Sequence, residues 1–71
     1  MTLGQRIQEL RKGAGLTQEQ LGARVGVTRQ AVSKWENGTS DPSTSNLCAL
    51  AKLYGIPVEE LLHETQEKSE D

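Results

Sequence analysis

Cysteine is nearly missing from this sequence, and aromatic residues are almost as scarce. Cys48 stands alone, so no disulfide can cross-link the chain with itself, and a single unpaired thiol suits a reducing compartment. Trp35 and Tyr54 are the whole aromatic complement, with no phenylalanine. Alternating apolar runs are absent as well, which leaves strands nothing to be built from. No apolar run approaches the roughly 18 residues that a membrane-spanning helix needs. Nothing resembles a secretory signal, and a cytoplasmic location is expected. His63 is the one histidine and has no second ligand at metal spacing. Cys48 has no histidine placed to activate it and is expected to pack at the edge of the core. Neither catalysis, a cofactor, a metal nor a small-molecule substrate is expected. With 71 residues there is room for one core, in a chain that buries only about 60% of the surface its unfolded form exposes.

The net charge of −2 is unevenly spread. Residues 1–56 carry seven basic and four acidic side chains, a net +3, and residues 57–71 carry one and six, a net −5. A mildly basic body thus carries an acidic end, and for nucleic-acid binding the distribution counts for more than the total.

What fills the body is helical punctuation. Thr2 with Gln5 is a capping box, followed by a stripe of Leu3, Ile7, Leu10 and Ala14 that ends around Gly13. Thr17 with Gln20 is a second box, opening a short helix with Leu21 and Val25 inward and Gly26 as its left-handed stop. Thr28 caps a third helix from about Arg29 to Asn37, closed by Gly38. Ser43 caps a fourth, with Leu47, Leu50, Ala51 and Tyr54 inward, ended by Gly55. Pro57, at or near the first helical position, begins a last short helix through Leu62. The expectation is an all-α, compact five-helix bundle over residues 1–62, with an acidic, frayed tail over residues 63–71.

Two short capped helices joined by Gly26-Val27-Thr28 have the spacing of a helix-turn-helix. Glycine inside a helix costs about 1 kcal/mol relative to alanine, so Gly22 is read as making room where the two helices meet. On a wheel of roughly 100° per residue, Ser33, Asn37, Gln30 and Lys34 fall within about 140° of Arg29, while Ala31, Val32 and Trp35 face the core. The outward face contains no carboxylate. Arginine can pair bidentately with guanine and glutamine with adenine, a pattern that only the major groove displays unambiguously.

Taken together, Leu16-Thr17-Gln18, Gly22, Gly26, Val32, Ser33-Lys34-Trp35-Glu36-Asn37-Gly38 and Asn46-Leu47 resemble the Cro and phage-repressor helix-turn-helix family, also called xenobiotic-response-element-like. The likeness covers about Leu3 to Leu62. It implies a lambda-repressor-like fold and a sequence-specific regulator of transcription, expected to be a repressor, on double-stranded DNA. It implies Arg29, Gln30, Ser33 and Lys34 as base-facing residues. It implies phosphate or positioning roles for Arg11, Gln18, Thr28, Asn37, Gly38 and Thr39, the loop acting through main-chain N–H groups. It also pairs Arg11 with Glu36. Three departures stand out: Pro57 where a hydroxyl cap is common, Ser45 where an acidic residue is common, and Gly13 loosening the end of the first helix.

Leu53 lies off the main stripe of the fourth helix, and Val58, Leu61 and Leu62 crowd three apolar groups into a short stretch. Such surplus apolar surface suits a partner. A homodimer on an inverted-repeat operator is expected, with Leu53, Val58 and Leu62 at its interface. The alternative from another class is a protein-binding module, an antitoxin or adaptor that keeps this fold.

Overall fold

Five helices follow one another: α1 (Leu3–Gly13), α2 (Gln18–Val25), α3 (Arg29–Asn37), α4 (Thr44–Tyr54) and α5 (Val58–Gln66). They are seen in a computed structural model that describes the backbone of residues 1–66 and the side chains of residues 1–62. No strand occurs among the described residues, and no helix there is long and apolar enough to cross a membrane.

Each of the first four helices begins where a hydroxyl takes up an orphan N–H. The side chains of Thr2, Thr17, Thr28 and Ser43 accept from the backbone of Gln5, Gln20, Ala31 and Asn46. In α1 and α2 the glutamine amide reciprocates, closing both capping boxes at 2.9 Å. Such caps stabilise a helix by about 1 kcal/mol each. α5 starts one residue later than a proline-led helix, because Pro57 stays outside it and its carbonyl accepts from Glu60 N at 3.0 Å. Glu59 and Glu60 then sit in the first turn, where the helix dipole favours negative charge.

α5 also runs to Gln66, four residues beyond the expected end at Leu62. The rest of the expected acidic tail, residues 67–71, and all side chains from His63 onward lie outside the described residues.

Every helix supplies the core with at least one wholly buried side chain: Ile7, Leu21, Val32, Leu50 and Leu61, joined by Trp35 and Ala51. Each large apolar group so buried contributes roughly 1.5–3 kcal/mol. Leu61 is therefore a core residue and no part of an outer apolar surplus. Cys48 is exposed, contrary to the expected place at the core edge. It lies about 100° past Leu47 on the α4 wheel, outside the inward stripe. Ala14, placed on the α1 stripe by spacing, is exposed as well, since the helix has already ended.

Two glycines let backbones touch. A Cβ on Gly22 would stand 2.6 Å from the Val27 carbonyl oxygen, which is the close approach of α2 to the start of α3 that the sequence suggested. A Cβ on Gly4 would collide with the carbonyl oxygens of Trp35 and Glu36. α1 is thereby seated directly on the last turn of α3.

Candidate nucleic-acid interface

α3 divides as its wheel requires. Val32 and Trp35 are buried and Ala31 is half-buried, while Arg29, Gln30, Lys34 and Asn37 are exposed and Ser33 is half-buried. The Thr28 hydroxyl accepts from Ala31 N at 3.2 Å and so serves as the cap of the helix. The outward face is free of carboxylate because the only acid in α3, Glu36, turns inward.

Glu36 meets Arg11 in a two-pronged pair, Arg11 Nε donating to Oε2 at 2.6 Å and the far nitrogen to Oε1 at 3.1 Å. The remaining guanidinium nitrogen donates to the Leu16 carbonyl at 2.8 Å. Gln18 adds a third donor to the same carboxylate, its Nε2 lying 3.1 Å from Oε1. The Arg11 side chain is 10% exposed and that of Glu36 3%. The hydrogen bond that Arg11 donates to Glu36 raises the Arg11 pKa above its ordinary value, against an opposing contribution from burial, so the guanidinium remains charged. Three of the five guanidinium N–H groups are thus used inside the protein, and the geometry makes Arg11 a clamp. The clamp joins α1, the start of α2 and the end of α3. Within its electrostatic reach lies Tyr54, whose hydroxyl is buried without a hydrogen-bond partner among the described residues and whose pKa is pushed up by that burial.

The loop after α3 departs from expectation. Gly38 adopts a left-handed conformation, φ 84°, and its N–H donates back into α3. Thr39 N–H donates to the Lys34 carbonyl at 2.9 Å and Ser40 N–H to the same oxygen at 3.3 Å. Thr39 N–H also lies 3.0 Å from Asn37 Oδ1. Main-chain N–H groups of Gly38 and Thr39 are thus taken up by the helix end, since a left-handed cap works by returning them to the last carbonyls.

Of the residues expected at a dimer interface, Leu53, Val58 and Leu62 are all half-buried, and Leu53 and Val58 pack against the core. Leu53 lines a shallow groove with Arg24, Ala49 and Lys52. Val58 lines a larger one, of about 540 Å³, with Cys48, Ile56 and Pro57. The two grooves share Ala49 and Lys52, so they form one surface along the outside of α4.

Sequence reasoning missed the seat at Gly4, though a glycine in a helix is the signal that singled out Gly22. It also missed the buried Pro42 and the bond from Gln18 to Glu36, which no spacing reveals.

Residues 7–61 match a family model described as helix-turn-helix. Over 62 residues, 87% of this chain, the sequence is 40% identical to the HTH-type transcriptional activator BcrR of Enterococcus faecalis. Over 60 residues, 84% of this chain, it is 42% identical to the repressor protein C2 of Salmonella phage P22. The chain spans only 30% of the first of these relatives and 28% of the second. Among solved structures, the P22 c2 repressor in complex with a synthetic operator superimposes with a TM-score of 0.81 at 36% identity, covering 86% of this chain and 92% of that one. The chain belongs to the helix-turn-helix family, of the Cro and phage-repressor type.

Proposed function

We propose that this chain is the DNA-reading domain of a transcriptional regulator, acting as a repressor in the cytoplasm by laying α3 in the major groove of a duplex operator. The observation that carries the reading is the exposed face of α3, where Arg29, Gln30, Lys34 and Asn37 stand together with no carboxylate among them. One relative that fits the fold closely over most of its length is a repressor held on an operator, which supports repression. Arg29 and Gln30 lead the base contacts, with Ser33 and Lys34 behind them.

The test is selection from a random duplex pool by the parent protein and by Arg29→Ala and Gln30→Ala. Losing a bidentate reader costs about 1–3 kcal/mol and relaxes preference at one base pair, so each variant should select a changed motif. The affinity of the parent for its selected site should fall roughly tenfold or more between about 50 and 200 mM salt, each neutralised phosphate contributing about −0.9 to the slope. Selection of one unchanged motif by all three proteins means that α3 is not the reader.

The same reading makes the working form a homodimer on an inverted repeat. Its support is the surface along α4 where Leu53 and Val58 line adjoining grooves, together with Leu62 on α5. Two subunits would place their α3 helices about 34–36 Å apart, one turn of DNA. Two copies of the parent should bind a full site cooperatively, and Leu53→Glu should reduce this to independent binding of single copies, as band shifts on full and half sites will report. If the parent binds full and half sites as one copy with equal affinity, the dimer fails.

A further inference from the structure

In the turn after α3, the direction of two hydrogen bonds decides which atom of Asn37 faces outward. The Thr39 N–H can only donate, and the amide atom it meets at 3.0 Å is therefore the carbonyl oxygen Oδ1. The Thr39 hydroxyl donates to that same oxygen. With both acceptor sites of Oδ1 filled from one residue, the amide is held against turning over, and Nδ2 carries its two N–H donors away from the turn. Asn37 is exposed, and the wheel puts it between Ser33 and Gln30 on the carboxylate-free face. An untethered asparagine there would present acceptor and donor by turns, whereas a phosphate oxygen accepts only from the donor. Within the turn itself the N–H groups of Gly38, Thr39 and Ser40 already bond to carbonyls of α3.

We propose that Thr39 is a positioning residue: it acts through Asn37, holding Nδ2 outward as the hydrogen-bond donor that this turn supplies to a backbone phosphate. The inference rests on the DNA-binding reading and goes beyond it, since it assigns the contact to one side-chain atom and the specificity of its orientation to a neighbour.

The experiment uses the full chain and a duplex that the parent protein has itself selected from a random pool. Asn37→Asp keeps both acceptor sites for Thr39, so it should melt within a few degrees of the parent. Its affinity should nonetheless fall about 10–100-fold, the value of a hydrogen bond to a charged group, because an anion now faces the phosphate. Thr39→Val, which keeps the shape and removes the hydroxyl, should cost about 3–10-fold, and Thr39→Ser should recover to within about twofold of the parent. With Asn37→Ala already in place, Thr39→Val should cost nothing further. An equal loss from Thr39→Val with and without Asn37, or parental affinity in Asn37→Asp, overturns the assignment. If the parent selects no duplex at all, the DNA-binding reading falls first and this inference with it.

Discussion

Gly4→Ala should remove about 3 kcal/mol of stability and lower the melting midpoint by roughly 12–24 °C, at 4–8 °C per kcal/mol for a domain of this size. A methyl group at Gly4 would collide with two backbone carbonyl oxygens, those of Trp35 and Glu36. Neither is the flexible end of a side chain that could swing aside. Relief requires α1 to lift off α3, and that would open the core to which Ile7 of α1 and Val32 and Trp35 of α3 all belong. The gain in helix propensity from replacing glycine, about 1 kcal/mol, offsets only part of this. Total stability for 71 residues is of the order of 4–11 kcal/mol, so the loss is a large share of it. Gly13→Ala is the control: it lies in the same helix, and an added Cβ there meets nothing within 4 Å. It should be neutral or stabilise by up to about 1 kcal/mol. Thermal denaturation followed by circular dichroism separates the two, and equal midpoints for both variants would show that the close approach at Gly4 is not a constraint.

Local chemistry was the most legible part of this molecule. Hydroxyl caps at Thr2, Thr17, Thr28 and Ser43 and glycine stops at Gly26, Gly38 and Gly55 are decided within four residues of chain, and each stands where its sequence put it. The split of α3 into a buried and a polar face was legible for the same reason, because a single helical period settles it. What depends on two distant segments meeting was read less well. The Gly4 seat needs the last turn of α3, thirty residues on, and the bond from Gln18 to Glu36 needs α2 and α3 already packed. The loop after α3 was read in part: the stop at Gly38 was foreseen, but its left-handed form, which returns the N–H groups of Gly38 and Thr39 to the helix, was not. Leu53 shows the limit of a wheel. Its angle takes it off the inward stripe of α4, yet it packs against the core, since a bundle this small closes around more than one face of its helices.

Removing either partner of the pair between Arg11 and Glu36 should cost about 3–5 kcal/mol, where an exposed ion pair contributes only about 0–1. The difference lies in burial. With side chains 10% and 3% exposed, neither group recovers its water when the other is cut back. Arg11→Ala leaves the Glu36 carboxylate with the Gln18 amide as its one remaining donor among the described residues. Glu36→Ala leaves a guanidinium bonded to the Leu16 carbonyl alone. The double variant strands no charge, so its loss should fall short of the sum of the single losses by at least about 2 kcal/mol. Urea unfolding of the four proteins of the cycle, at a temperature where each is folded at the start, measures that coupling. A coupling below about 0.5 kcal/mol would make the two residues independent, and the clamp a coincidence of placement. Because Glu36 lies in the last turn of α3 while Arg11 and Gln18 belong to α1 and α2, the same pair sets how α3 is presented. Glu36→Ala should therefore weaken duplex binding even where the variant is fully folded, and Gln18→Ala, which removes one neutral donor, should do so to a smaller degree. Unchanged affinity in folded Glu36→Ala would confine the clamp to stability.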